Sequence, residues 1–263
     1  MKKCTDQTGH SISVEKTPLK IVSIVPSQTE LLHYLGLSDS IAGISKFCIH
    51  PEEIYRTKPR IGGTKKLDIK KIRSLKPDLI IANKEENEEQ QVKQLMQEFP
   101  VWISDISCLK DALEMIKEVG KMTDTEEKAN LLADKIQNDF SVFSKRKKRN
   151  ATCLYLIWKK PYMCAGTDTF INDMLNYCGL KNIVNLARYP EISPQTIAQL
   201  QPEYILLSSE PYPFKEKHME ELSTICPNSK ILLVDGEMFS WYGSRLLYAS
   251  KYFEDLGKSW KVS

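Results

Sequence analysis

The sequence predicts an α/β protein of two similar lobes, each on a parallel sheet, joined by a long backbone helix and enclosing a ligand cleft between the lobes. Three observations carry this. The first is an internal repeat: LDIKKIRSLKPDLIIANKE (Leu67 to Glu85) returns as ISPQTIAQLQPEYILLSSE (Ile192 to Glu210). No gap interrupts the register, and each matched pair stands 125 positions apart, as Ile197 does from Ile72. The second is a further match of SQTELLHYLGL (Ser27 to Leu37) with TFINDMLNYCGL (Thr169 to Leu180), and of Val101 to Asp105 with Ile231 to Asp235. The third is a long amphipathic stretch between the copies.

Each element follows from local chemistry. In both repeat copies an amphipathic helix stops at a proline (Pro77, Pro202), which disfavours helical geometry in the residue before it. A short apolar run follows, Leu79 to Ala82 or Ile205 to Ser208, as expected of a parallel strand buried on both faces. The strand then opens into a polar loop carrying Glu85 or Glu210. Gly36 and Gly179 close their helices, where a left-handed cap is cheapest without a Cβ. Each half therefore reads strand, helix, strand, helix, strand, with an additional strand at Ile41 to Ser45 in the first half.

Between the halves, Thr123 to Glu126 supplies capping chemistry, and Ala129, Leu132, Ala133, Ile136, Phe140 and Phe143 recur at helical steps. One helix is predicted over Thr125 to Lys147, ending in the basic run Lys145 to Arg149, whose cations suit a helix C-terminus. The predicted organisation is an N-terminal lobe over 18–121, a connecting helix over 122–149 and a C-terminal lobe over 150–263. No Gly/Ser linker separates them, which predicts a stiff connection.

Composition narrows the function. A net charge of +3 over 263 residues argues against a nucleic-acid binder. No apolar run reaches the ~18 residues of a membrane span. The N-terminus has a basic start without an apolar core, so it does not read as a secretory signal, and Cys4 lacks the preceding stretch of a lipoprotein. Seven scattered cysteines do not make a disulfide framework, and their number leans toward a reducing compartment.

In such sheets ligands meet the loops beyond the strand carboxyl ends. Those loops carry Phe47, His50, Lys65 and Glu85 in the first half. In the second half they carry Trp158, Tyr162, Glu210, Tyr212, Glu237, Trp241, Tyr242 and Arg245. These twelve are the candidate ligand-binding residues; aromatics at this density suit a flat organic ligand. The segment Glu237 to Arg245 (EMFSWYGSR) is the sharpest signal, read as a ligand loop in preference to a core plug. Other features keep two readings. Ser27-Gln28-Thr29 is a helix cap or an anion cradle, with plain capping preferred. Cys48 and His50 are a packed pair or a candidate metal site, and no third ligand is dictated. Glu85, Glu86 and Glu210 face a ligand or solvate a loop. Gly62-Gly63-Thr64-Lys65 lacks the frame of a phosphate loop and is rejected as a nucleotide site. No catalytic residue is legible.

The series PSQTELLHYLGL, HPEEI, LKPDLIIANKEEN, YCGLKNIVN, LQPEYILLSSEPYPF and DGEMFSWYGSR resembles the helical-backbone metal-receptor superfamily. These are the class III solute-binding proteins of ABC importers, and the cobalamin-binding branch is the nearest. The resemblance spans roughly Pro18 to Leu256. It implies reversible binding of a metal chelate (a corrinoid, haem or ferric siderophore), no required cofactor, an ABC permease as partner, a monomer and a periplasmic setting. The missing signal and the odd cysteine count point instead to the cytoplasm. Phe47 and Trp241 match aromatic positions of the branch, whereas the tryptophans expected near Thr64 and at Asn83-Lys84 are absent. The docking glutamates of importer-coupled members are replaced by Lys70 and Gln195, so that either docking uses other carboxylates and the chain serves uptake, or it is an intracellular relative that handles the chelate. Two other classes stay open: an enzyme of tetrapyrrole or metal-cofactor metabolism using Cys48, His50 and Glu237, and an interaction protein that has lost its ligand.

Overall fold

The chain opens with an antiparallel hairpin, β1 (Lys2–Thr5) and β2 (Ser11–Val14). Its turn is organised by Asp6, whose Oδ1 accepts from the backbone N–H groups of Thr8 and His10 and from the Thr8 hydroxyl. The computed structural model describes residues 2–145 and 150–259. They form two compact units. Unit 1 comprises Met1–Ile106, Lys110–Gln137 and Trp241–Leu247; unit 2 comprises Ser107–Leu109, Asn138–Ser240 and Tyr248–Ser263.

After the hairpin, unit 1 runs β3 (Ile21–Ser23), α1 (Pro26–Tyr34), β4 (Ile41–Ile44), α2 (Glu52–Thr57), β5 (Gly62–Gly63) and β6 (Lys66–Leu67). It continues through α3 (Ile69–Leu75), β7 (Leu79–Asn83), α4 (Glu89–Met96), β8 (Val101–Ser104) and α5 (Leu109–Met122). Its main sheet is parallel, in the order β4-β3-β7-β8. β7 and β8 are buried along their whole length, which is why they read as continuous apolar runs.

Helix α6 (Glu126–Ser144) is a single unbroken helix, and the division between the units falls within it, after Gln137. Ala129, Leu132, Ala133, Ile136 and Phe140 are buried, as the periodicity predicted. Of the basic run at its end only Lys145 is among the described residues; 146–149 lie outside them.

Unit 2 contains β9 (Ala151–Trp158), β10 (Met163–Cys164), α7 (Phe170–Tyr177), β11 (Leu180–Asn182), α8 (Pro194–Leu200) and β12 (Tyr204–Ser208). It closes with α9 (Glu216–Ile225), β13 (Lys230–Val234), α10 (Gly236–Ser240) and α11 (Leu246–Ser259). β11, β9, β12 and β13 are parallel in that order, and β10 pairs antiparallel with the far end of β9.

The repeat is structural down to its caps. Asp68 and Ser193 are matched N-caps, accepting from the backbone N–H groups of Lys71 and Thr196. Lys76 and Gln201 are matched C-caps in the left-handed region, with φ of 48° and 43°, immediately before the two prolines. Gly36 and Gly179 follow α1 and α7 with φ of 89° and 73°. One expectation is corrected. The strand at Ile41 to Ser45 is not an extra of the first half, because β11 pairs with β9 as β4 pairs with β3. Three residues, with a single buried position, are too few for an apolar pattern to show.

Candidate functional site

The strands of the unit 1 sheet end in small polar residues that are buried: Ser23 at the end of β3, Asn83 at the end of β7, Ser104 at the end of β8, and Ser45 just past β4. A buried polar group must find a partner, and these find one another. Thr29 Oγ1 lies 2.8 Å from Ser23 Oγ and 3.1 Å from Cys48 Sγ, which in turn lies 3.1 Å from Ser45 Oγ. Gln28 Nε2 donates to Ser104 Oγ at 2.6 Å, and Asn83 Nδ2 donates to the same oxygen at 3.0 Å. Asn83 Oδ1 accepts the N–H groups of Glu85 and Glu86, and Asn87 Nδ2 reaches the carbonyls of Ile24 and Thr64. The layer therefore fixes the loops beyond the strand ends. This corrects the capping reading of Ser27-Gln28-Thr29: the N-cap of α1 is Val25, without a side-chain cap, and all three side chains are buried.

Cys48 belongs to this layer. It is fully buried, and burial pushes its thiol up to about 11, the reverse of what a metal-bound thiolate needs. Among the described residues no group of three or more His, Cys, Asp or Glu could hold a metal ion.

Above the layer, Trp241 and Tyr242 are each only 6% exposed. The sequence predicted exposed ligand-stacking aromatics in this loop; the structure buries them. Arg245 lies over the Trp241 ring at 4.7 Å and forks onto Glu30 of α1, with Nε–Oε2 3.1 Å and Nη2–Oε1 2.7 Å. His50 meets Trp241 edge-on at 5.8 Å, and Tyr242 donates its hydroxyl to Glu86 at 2.8 Å. Gly243, at φ 154°, sits where an added Cβ would be 3.1 Å from the Ser27 carbonyl, so only glycine lets the loop approach α1 so closely. What this assembly leaves open to solvent is Phe47 at 50% and its neighbour Ile49 at 47%. The Phe47 ring packs against Gly63 and under the Lys46 ammonium. Lys65 donates to the Glu85 carbonyl, and Glu85 is half-buried two residues past the end of β7.

In unit 2, Trp158 at the end of β9 is 39% exposed and stacks edge-on against Tyr212 at 5.6 Å. Tyr212 packs on Phe214 and on His218 of α9. His218 Nδ1 accepts the Lys215 N–H, so its ring proton sits on Nε2, 3.3 Å from the Tyr212 hydroxyl. Tyr162 is buried, donates its hydroxyl to Glu221 at 2.8 Å, and borders a cavity of about 590 Å³ with Lys159, Pro161, Ile192 and Pro194. Glu210 and Glu237 lie apart from this cluster, on the α10 side: Glu210 accepts from Ser240 at 2.8 Å, and the Glu237 N–H is tied to Asp235. Sequence reasoning missed Glu30, Ile49, Lys159, His218 and Glu221. Glu30 meets Arg245 across 215 positions and Lys159 meets Glu221 across 62, too far along the chain to be paired by spacing.

The hydrogen bond from Lys159 holds the Glu221 carboxyl below its ordinary value of 4.5, and burial holds the His218 imidazole below 6.5. Both groups bind protons more weakly folded than unfolded. Their contributions are complete above those ordinary values and fade as pH falls through the depressed ones. Stability should therefore drop in two steps on acidification, the first beginning below about 6.5 and the second below about 4.5. Denaturant titrations at a series of pH values check this. His218→Asn should flatten the first step and Glu221→Gln the second.

The Periplasmic binding protein family matches residues 21–224. The chain belongs to that family. The chain is 25% identical over 212 residues to the uncharacterized ABC transporter substrate-binding lipoprotein YvrC of Bacillus subtilis (strain 168), covering 76% of this chain and 67% of that one. Its fold is that of the periplasmic vitamin B12 binding protein BtuF of Vibrio cholerae, with a TM-score of 0.79 at 20% identity over 94% of this chain and 99% of that one. It is also that of the periplasmic heme-binding protein BhuT solved with two hemes, with a TM-score of 0.78 at 17% identity over 92% of this chain and all of that one (100%).

Proposed function

We propose that this protein is a non-enzymatic solute-binding protein that reversibly holds a metal chelate for uptake through an ABC permease. The chelate is a corrinoid, a haem or a ferric siderophore. The observation that carries the reading is the exposure of Phe47, Ile49 and Trp158 at strand carboxyl ends, each on a rigid support, in a chain of the periplasmic binding protein family. Exposed aromatic and aliphatic faces that are already held in place bind a flat apolar surface at little ordering cost. Trp241, Tyr242 and Arg245 serve instead as structure within unit 1, through His50, Glu86 and Glu30.

The enzyme reading finds no support in the residues offered for it. Cys48 is buried with a raised thiol pKa, and the Glu237 N–H is tied to Asp235. Chelates of this kind present ring edges and side arms, and the chain's tyrosine and cysteine candidates for direct metal bonding are otherwise engaged: Tyr162 with Glu221, Tyr242 with Glu86, Cys48 in the polar layer. In this reading Phe47, Ile49 and Trp158 meet the outer surface of the ligand.

The test is an absorbance titration with cyanocobalamin, haemin and ferrichrome, on the wild type and on Phe47→Ala and Trp158→Ala. One chelate should bind, and each variant should weaken it by ~10- to 100-fold with an unchanged melting temperature. No binding from the panel, or unaltered affinity in both variants, would sink the reading.

A further inference from the structure

The two copies of the repeat helix share caps, register and burial but not charge. From Lys65 to Lys76 the first copy carries Lys65, Lys66, Lys70, Lys71, Arg73 and Lys76. The matching positions of the second copy hold Pro190, Glu191, Gln195, Thr196, Ala198 and Gln201, without a single cation. Two of the six cations are occupied. Arg73 is gripped bidentately by Glu98, and Lys65 donates to the Glu85 carbonyl. Lys66, Lys70, Lys71 and Lys76 are exposed and make no ion pair among the described residues. Within that stretch the sole carboxylate is Asp68, whose Oδ1 accepts the Lys71 N–H as the helix cap.

The placement is unfavourable for the fold itself. Lys70 and Lys71 stand in the first turn of α3, where the helix dipole disfavours cations, and that turn has no acidic residue. A local rule broken on one copy and kept on its twin calls for a function outside the fold. The side-chain type narrows the partner. The one arginine, the residue whose fork reads carboxylates in fixed geometry, is already taken, and protein interfaces favour arginine and deplete lysine. Flexible lysines within a Debye length of one another suit a diffuse sheet of anionic headgroups instead.

We propose that the exposed face of α3 with Lys66, Lys70, Lys71 and Lys76 is a peripheral contact for an anionic lipid surface. The association is electrostatic, without insertion, and independent of the chelate.

The experiment is co-sedimentation of the full chain with phosphatidylcholine vesicles, with and without about one third phosphatidylglycerol, at about 50 mM and about 500 mM salt. The wild type should bind the anionic vesicles only, and lose them at high salt. Charge reversal at the four lysines (K66E, K70E, K71E and K76E together) should weaken binding by roughly 100-fold or more, each lysine being worth close to a factor of five at such a surface. Reversal of Lys110, Lys145, Lys181 and Lys217, which changes net charge equally, should leave most of the binding intact. Circular dichroism melts confirm that both variants fold. Equal binding to neutral vesicles, full retention in the α3 variant, or equal loss in the control variant overturns the proposal. So does a soluble polyglutamate peptide that binds more tightly than the vesicles, which would assign the patch to an acidic protein.

Discussion

Trp241→Ala is expected to lower the unfolding free energy by about 3 to 5 kcal/mol, the range for removing a packed aromatic from an interior. The indole is 6% exposed, roofed by the Arg245 guanidinium and flanked by the His50 ring. Truncation leaves a cavity and strips both neighbours of their contact. The sequence reads this residue as part of a ligand loop in preference to a core plug. Burial reverses it, because a side chain without accessible area has none to offer a ligand. Urea unfolding measures the effect. A change below about 1 kcal/mol would mean that the site collapses around the missing ring.

Arg245→Ala is expected to cost on the order of 3 kcal/mol, because it strands the Glu30 carboxylate in a largely enclosed position. The two side chains are 14% and 19% exposed and share two hydrogen bonds. Much of the loss is the uncompensated charge, so the double variant Glu30→Gln/Arg245→Ala should be more stable than Arg245→Ala alone. A double-mutant cycle decides it, and strictly additive single effects would show that the ion pair is not what holds the 241–247 segment on α1.

Much of the fold was legible because helix caps, prolines and buried apolar runs are local. The constant offset between the repeat copies reappears as matched N-caps at Asp68 and Ser193 and matched left-handed C-caps at Lys76 and Gln201. The long helix was legible because six apolar residues at helical steps leave one face to bury. The second copy's short strand β11 was not, since three residues with one buried position carry no period. The loops that bear candidate residues were found from strand ends alone. Which of their side chains face solvent was not, as Trp241 and Tyr242 look no different in sequence from Trp158 and Phe47.

By itself, then, the amino-acid order determined two α/β units, their register, the helix that bridges the division between them and the loops where chemistry gathers. All of these follow from interactions within a few residues along the chain. The tertiary structure alone decided that Glu30 meets Arg245 across 215 positions, that Tyr242 meets Glu86 across 156, and that Cys48 disappears into a hydroxyl layer while Phe47 stays in the open. Those outcomes depend on which surfaces are covered once the chain has closed on itself, and no local pattern encodes that.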